Sequence, residues 1–355
     1  MKKIVFTGGG TAGHVMPILA LIEALRDQSI QLAYVGSKNG IEKKLAEENQ
    51  IPYYQVSTGK LRRYFDLNNF IDPFRVLKGI LEAKNILKNL KPDLIFSKGG
   101  FVSVPVVLAA NWLKIPILLH ESDYSPGLAN KLTLRFADKI LVTFSETLKY
   151  LPKEKTKLTG TPIRKELLNG DYSKGKFITG FDDKPVIMIM GGSSGSQTIN
   201  KVVRDSLDDL NSSFNIIHLC GKGNIRKDLI GEKGYKQFEF VTDELPHLFA
   251  LTDLMVSRSG ANTLYEILAL KIPNILIPLP LSASRGDQIL NAKSFQKEGF
   301  SVVLDEKDFD KETLVKKIEN VYQNREKYIK KMIQTNLSDS NSLVLLEINK
   351  YLKKA

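Results

Sequence analysis

The sequence predicts an α/β protein made of two similar halves, each a doubly wound parallel sheet with helices on its faces. Three observations carry that expectation. Short apolar runs alternate with helical stretches along nearly the whole chain. Both halves open on an apolar strand, a glycine-rich turn and a helix. The alternation pauses once, over 153–184, where TGTPIR, an Asn-Gly-Asp turn and the polar Asp182-Asp183 tract suit a linker and domain entry. With 355 residues and 43% hydrophobic content, the chain can bury two cores of ordinary size.

In the first half, strands are expected over 3–7, 32–36, 53–57, 93–97, 117–120 and 139–143, with helices over 15–28 and 41–49. Apolar runs this continuous suit strands covered on both faces, as parallel sheets are. The second half restarts with a buried strand over 186–190 running into Gly191-Gly192-Ser193-Ser194-Gly195-Ser196, then a helix from Gln197. Strands follow over 215–219, 238–241, 254–257 and 274–280, with helices over 245–251, from Ala261, and near Asp287. Residues 341–355 have apolar positions at helical spacing and a lysine-rich end.

Composition excludes several classes. No run of eighteen apolar residues exists, so no membrane-spanning helix is expected, and MKKIVFTGGG is too short in apolar residues for a secretory leader. The single cysteine, Cys220, lies in the apolar run NIIHLCG and reads as a buried thiol of a cytosolic chain. The four histidines and one cysteine are scattered, so neither a bound metal nor a cofactor is expected. A formal charge of +12 favours anionic partners. Without aromatic-rich ribonucleoprotein strands or a basic recognition helix, nucleic acid ranks last among them.

Two stretches carry chemistry. In TGGGTAGHV, Gly8, Gly10 and Gly13 fit G-x-G-x-x-G directly after a strand, yet the second strand ends Val35-Gly36-Ser37-Lys38, without the acid a dinucleotide ribose needs. A dinucleotide enzyme is therefore the weaker reading, and the glycines let another ligand approach the backbone. His14 follows the third glycine at a helix start, where the helix dipole disfavours an imidazolium and a neutral ring is ready to take a proton; a plain capping role is the alternative. His120-Glu121 closes the strand ILLH, as a site or as a buried pair holding a loop. In the second half, Arg258, Ser259, Glu266, Asp287 and Gln288 all fall beyond carboxyl ends of strands, where ligands bind in open α/β sheets. Glu266 can accept two hydrogen bonds from a ribose diol, and the Ser259-Gly260 turn can bind phosphate at a helix N-terminus.

GGGTAGHVMP at 8–17, KGGFVSVP at 98–105, HESD at 120–123, TGTPIR at 159–164, GGSSGS at 191–196, RSGANTLYE from 258 and RGDQILNA to 292 together resemble the MurG glycosyltransferases, in order and over nearly the full length. The resemblance implies a GT-B fold: two Rossmann-like doubly wound domains facing a central cleft. Residues 1–162, joined by the helix 339–355, would form an acceptor- and membrane-binding domain, and 163–338 the UDP-sugar domain. The implied reaction moves N-acetylglucosamine from UDP-N-acetylglucosamine to the 4-hydroxyl of lipid I, giving lipid II for peptidoglycan, with inversion and without a metal, by a peripheral protein on the cytoplasmic face of the cell membrane. Another GT-B UDP-sugar enzyme, a diacylglycerol glycosyltransferase or UDP-N-acetylglucosamine 2-epimerase, is the alternative, and a non-catalytic nucleotide-sugar binder a third.

By the same resemblance, Arg164 and Ser193 serve the diphosphate, Glu266 the ribose, and Gln288, with Asp287 beside it, the sugar; Ala261, Asn262 and Thr263 line the donor, and the Thr242 backbone reads the uracil. Thr11, Ala12 and Gly13 would meet the donor and the acceptor diphosphate. Asp123 stands where the family has an asparagine, so a carboxylate replaces a hydrogen-bond donor, and His14 and Asp123 compete as the base. Residues 60–91 interleave cations with apolar side chains, which suits a helix lying on an anionic leaflet through Arg62, Arg63, Phe70, Phe74, Arg75 and Trp112, or else a core-facing stripe.

Overall fold

The computed structural model describes residues 1–59, 68–192, 195–284 and 286–354. They form two compact units, Met1–Arg164 with Asp339–Ala355, and Lys165–Ser338. The first holds seven parallel strands: β1 (Lys2–Thr7), β2 (Ile30–Ser37), β3 (Tyr53–Val56), β4 (Leu94–Ser97), β5 (Ile117–Glu121), β6 (Lys139–Val142) and β7 (Thr156–Leu158), in the order β3-β2-β1-β4-β5-β6-β7. Successive residues of one strand serve opposite cores. Ile4 and Phe6, with Leu94, Phe96 and Leu118, pack under the helix Ala12–Leu25 and the C-terminal helix Ser340–Lys354, which contributes Val344, Ile348 and Leu352. Val5, Val35, Ile95 and Ile117 face the other way, against Ala83 and Leu87 of the helix Asn68–Leu90 and Val106, Ala109 and Ala110 of Ser103–Trp112. Each fully buried Ile or Leu contributes roughly 1.5–3 kcal/mol, so this double coverage is what makes the strands read as unbroken apolar runs.

The C-terminal helix is also pinned by polar contacts. Lys157 pairs with the buried Glu347 at 2.6 Å, and the Asn341 amide exchanges two hydrogen bonds with the Ile163 backbone at 2.9 and 2.8 Å. The tail thereby belongs to the first unit although it follows the second in sequence.

The second unit has β8 (Val186–Met190), β9 (Asn215–Leu219), β10 (Tyr235–Phe238), β11 (Leu254–Ser257), β12 (Asn274–Leu276) and β13 (Val302–Val303), parallel throughout, in the order β10-β9-β8-β11-β12-β13. In each sheet the strand order reverses once, between β1 and β4 and between β8 and β11. The loops beyond those paired carboxyl ends are where an open α/β sheet presents a crevice.

Three expectations need correction. β10 begins three residues before the expected 238, because Gly234 turns at φ +77° and Tyr235 enters the core, its hydroxyl bonded to His218 Nδ1 at 2.7 Å. β12 stops at Leu276 rather than 280, since Pro278 and Pro280 have no N–H to give to the ladder. The span 153–184 is no simple linker: it holds β7 and the helix Tyr172–Thr179, whose Gly175 lies so close to the helix Leu245–Ala250 that a Cβ there would sit 2.4 Å from the His247 carbonyl oxygen.

Candidate functional site

At the switch point of the first sheet, two glycine loops meet backbone to backbone. Gly10 (φ +85°) and Gly100 (φ +79°) adopt left-handed conformations; a Cβ on Gly100 would lie 2.3 Å from the Gly9 carbonyl oxygen, and one on Gly10 2.6 Å from the Phe101 ring. The first loop is held by Glu42, which is fully buried and accepts hydrogen bonds from Gly10 N–H at 3.3 Å, Ser37 N–H at 3.1 Å and the Ser37 hydroxyl. Thr11 then caps the helix Ala12–Leu25 with extended backbone, while its hydroxyl pairs with His14 Nδ1 at 3.0 Å instead of a helix N–H. Thr11 and Gly13 are exposed and Ala12 and His14 partly so.

Beside these loops, β5 and β7 end in a buried polar cluster. His120 Nε2–H donates to the Gly160 carbonyl at 2.8 Å, so its Nδ1 is an acceptor, and it receives Lys98 Nζ at 2.8 Å. Lys98 also donates to Ser122 Oγ and, at 3.3 Å, to Thr161 Oγ1. Burial, and then the Lys98 charge, push the His120 imidazole well below its ordinary value, leaving it neutral. Burial pulls Lys98 down to about 7, against the opposing pull of Glu121 and Asp123. Glu121, raised by burial and by Asp123, accepts from Asp123 N–H (3.0 Å), Gly127 N–H (3.0 Å) and Asn130 Nδ2 (2.7 Å). Of the two readings of His120-Glu121, the loop-holding one describes what these side chains do. Asp123 itself is partly exposed at the head of that loop, and Arg164 is partly exposed at the end of TGTPIR.

In the second unit the loop after β8 carries left-handed Gly192 and Gly195 and delivers Ser196 as N-cap of the helix Gln197–Asp205, its Oγ accepting Ile199 N–H at 3.3 Å. Ser193 lies outside the described residues. After β11, Gly260 caps the helix Ala261–Leu270 with open space where a side chain would be. Leu264, Tyr265, Ile267 and Leu268 bury one face of this helix; Asn262, Thr263 and Glu266 share the other, partly exposed, and Ala261 is buried at its first turn. Asp287 opens the helix Asp287–Lys297, where a carboxylate suits the dipole. Gln288 Oε1 accepts Leu279 N–H at 3.2 Å, leaving its Nε2 without a partner among the described residues. Thr242 is exposed after β10, its N–H 3.4 Å from Glu244 Oε2 and its carbonyl accepting Leu245 N–H at 3.2 Å.

Two of the residues expected in this crevice are structural. Arg258 is buried, its guanidinium bonded to Ser196 Oγ (2.8 Å), the Ile277 and Pro278 carbonyls (3.1 and 3.3 Å) and Glu306. Buried Ser259 donates to the Gln288 carbonyl at 2.8 Å. Together they lock the loops after β8, β11 and β12 into one frame, from which Glu266, Asp287 and Gln288 project.

Along the helix Asn68–Leu90, Ile80, Ala83, Ile86, Leu87 and Leu90 face the core, whereas Phe74 (73% exposed), Leu77 (58%) and Leu81 (50%) face out. Trp112 (58% exposed) lies nearby, with Lys84 Nζ 3.3 Å above its ring. Arg75 pairs with buried Asp72 at 3.0 Å. Thus Ile80 belongs to the core stripe, and the outward face is a separate set. Arg62, Arg63 and the Phe70 side chain lie outside the described residues. Among the described residues no helix is long and apolar enough to cross a membrane, and no group of three or more His, Cys, Asp or Glu could hold a metal ion.

The description glycosyltransferase family 28 N-terminal domain matches residues 4–142, and glycosyltransferase family 28 C-terminal domain matches 186–344. A Clostridium tetani (strain Massachusetts / E88) protein named UDP-N-acetylglucosamine--N-acetylmuramyl-(pentapeptide) pyrophosphoryl-undecaprenol N-acetylglucosamine transferase is 53% identical over 351 residues, covering 99% of this chain and 98% of that protein. The crystal structure of Acinetobacter baumannii MurG superposes with a TM-score of 0.78 at 26% identity, covering 99% of this chain and 100% of that one. The chain belongs to the MurG group of family 28 glycosyltransferases.

Its two parallel α/β units are those of the GT-B fold. A UDP-GlcNAc 2-epimerase from Neisseria meningitidis, solved with UDP-GlcNAc, shares that fold at a TM-score of 0.68 and 16% identity over 100% of both chains, a likeness of architecture alone. Two buried charged residues of this site, Glu42 and Lys98, carry no signal of their own in the sequence. Glu42 supplies a carboxylate beside the end of β2, but from the following helix and turned toward backbone N–H groups. Lys98 stood inside a quoted motif, yet nothing in KGGFVSVP tells a buried amine from a solvated one.

Proposed function

We propose that this transferase moves N-acetylglucosamine from UDP-N-acetylglucosamine to the 4-hydroxyl of the N-acetylmuramoyl unit of lipid I, forming lipid II. The observation that carries the reading is identity of 53% across nearly the whole length of relatives named for that transfer. The site geometry supports it: the second unit offers a helix start at Gly260 with no side-chain cap, for phosphate, and an outward carboxylate, Glu266, about one and a half turns on, for a ribose.

In this reading Glu266 accepts the ribose hydroxyls, Gln288 and Asp287 meet the sugar, Asn262, Thr263 and Ala261 line the nucleotide, and Thr242 lies at the uracil. Ser193 and Arg164 serve the diphosphate. The acceptor hydroxyl loses its proton to His14 or Asp123; its oxygen forms a bond to the donor C1 from the face opposite the diphosphate. The C1–O bond breaks with its electron pair leaving on UDP, and an α-linked donor gives a β product. Arg164 and the helix N-termini offset the growing diphosphate charge, the task a divalent ion performs elsewhere. Thr11, Ala12 and Gly13 meet the donor and the acceptor diphosphate at the glycine loops.

The acceptor's polyprenyl chain implies a membrane, and the outward Phe74, Leu77 and Leu81 with Trp112, flanked by Arg75, Lys78, Lys84 and Lys88, supply apolar side chains ringed by cations. Such a face suits peripheral binding to an anionic cytoplasmic leaflet, with each cation worth about 1 kcal/mol near the surface. The whole reading is tested with purified lipid I and UDP-N-acetylglucosamine: lipid II forms with wild-type protein. Hydrolysis or epimerisation of the donor, with no transfer, would overturn it.

A further inference from the structure

Lys98 is buried among the ends of the strands. Its ammonium, 1% exposed, reaches across the ends of three strands to three oxygen or nitrogen acceptors and to no carboxylate within ion-pair distance among the described residues. Three acceptors match the three N–H donors of a charged amine, and His120 is fixed as an acceptor by its bond to Gly160. One partner, Ser122, directly precedes Asp123, whose backbone N–H is in turn held by Glu121 at 3.0 Å. The Asp123 loop is therefore gripped on both sides, once through a cation and once through an anion.

We propose that Lys98 is a positioning residue for Asp123: its ammonium fixes the loop and offsets the combined negative charge of Glu121 and Asp123, so that Asp123 is presented as an ionised carboxylate. The inference rests on the reading that Asp123 meets the acceptor hydroxyl. The titratable groups facing Lys98 are His120 and Glu121 on β5 and Asp123 on the loop after it; Ser122 and Thr161 do not titrate. Because His120 is neutral, Lys98 is the cation of the cluster. When it loses its proton, one of the three hydrogen bonds loses its donor and two carboxylates are left facing each other. Turnover then falls along an alkaline limb lying far below the ordinary lysine range.

The test is the pH profile of kcat with lipid I, alongside thermal melts, for Lys98→Met, Ser122→Ala, Asp123→Asn and the Lys98→Met/Asp123→Asn double variant. Lys98→Met is expected to lower kcat at least tenfold with little change in the donor KM, and to abolish the limb. Ser122→Ala removes one acceptor from the ammonium, so the limb moves to lower pH. This arm stands even if Lys98→Met does not fold. In the Asp123→Asn background, Lys98→Met is expected to change kcat by less than threefold. A limb unmoved in Ser122→Ala, or present in folded Lys98→Met, overturns the inference while leaving Asp123 in place. Wild-type turnover by Asp123→Asn removes Asp123 from the reaction, and this role of Lys98 with it.

Discussion

Gly100→Ala is the sharpest probe of how the first unit builds its loops. Gly100 has φ +79°, and a Cβ there would lie 2.3 Å from the Gly9 carbonyl oxygen. The left-handed backbone costs about 1–2 kcal/mol for a non-glycine residue. Relieving the contact requires moving one backbone loop against the other by about 1 Å, an overpacking of roughly 1–3 kcal/mol. The sum, about 2–5 kcal/mol, corresponds to a melting-temperature drop of roughly 4–20 °C at ~2–4 °C per kcal/mol. Two controls separate the causes. Gly127→Ala, with ordinary backbone and open space, is expected to melt like wild type, and Gly180→Ala (φ +71°, nothing within 4 Å) should show only the backbone cost. Because the first of the displaced loops leads into Thr11, Ala12 and Gly13, assigned to the donor and the acceptor diphosphate, kcat/KM for lipid I should fall. Gly100→Ala melting and turning over like Gly127→Ala would refute the loop-packing argument.

Other substitutions address the remaining assignments. Glu266→Ala removes two charge-assisted hydrogen bonds to the ribose, and at about 1.5–3 kcal/mol for each the donor KM should rise by at least roughly 10- to 150-fold, the loss of one; an unchanged donor KM would contradict the ribose role. Arg164→Ala should lower kcat by about two orders of magnitude, as loss of one group offsetting a developing oxyanion does, whereas EDTA should leave wild-type turnover intact; activity lost in EDTA and restored by a divalent ion would refute the charge assignment. Replacing Phe74, Leu77, Leu81 and Trp112 together by serine should reduce co-sedimentation with anionic vesicles but leave donor binding unchanged. Equal sedimentation would move the membrane surface elsewhere.

The architecture was legible because parallel strands covered on both faces read as apolar runs, as VIMIM in β8 does, and because glycines mark each switch-point loop. Strand ends were read less well where local chemistry decided them: Gly234 set the start of β10, and prolines the end of β12. Spacing also placed Glu266 on the outward face of its helix, since the buried Leu264, Tyr265, Ile267 and Leu268 leave only that face to it. Spacing could not separate Arg258 from a ligand-binding arginine, because Glu306 and the Ile277 carbonyl, which occupy its guanidinium, lie far along the chain. Lys98 and Glu42 were hidden for the same reason. The partners of Lys98, and Gly10 for Glu42, come from distant segments that meet at the strand ends, and a charged residue's burial is set there rather than by its neighbours in sequence.

The most direct measurement is a crystal structure of the protein soaked with UDP-N-acetylglucosamine. Uracil and ribose lodged at the carboxyl ends of β8, β10 and β11, with the ribose hydroxyls on Glu266, is the expected result. A nucleotide seated instead on the Gly8–Gly10 loop of the first unit would contradict the assignment of donor and acceptor on which everything else is built.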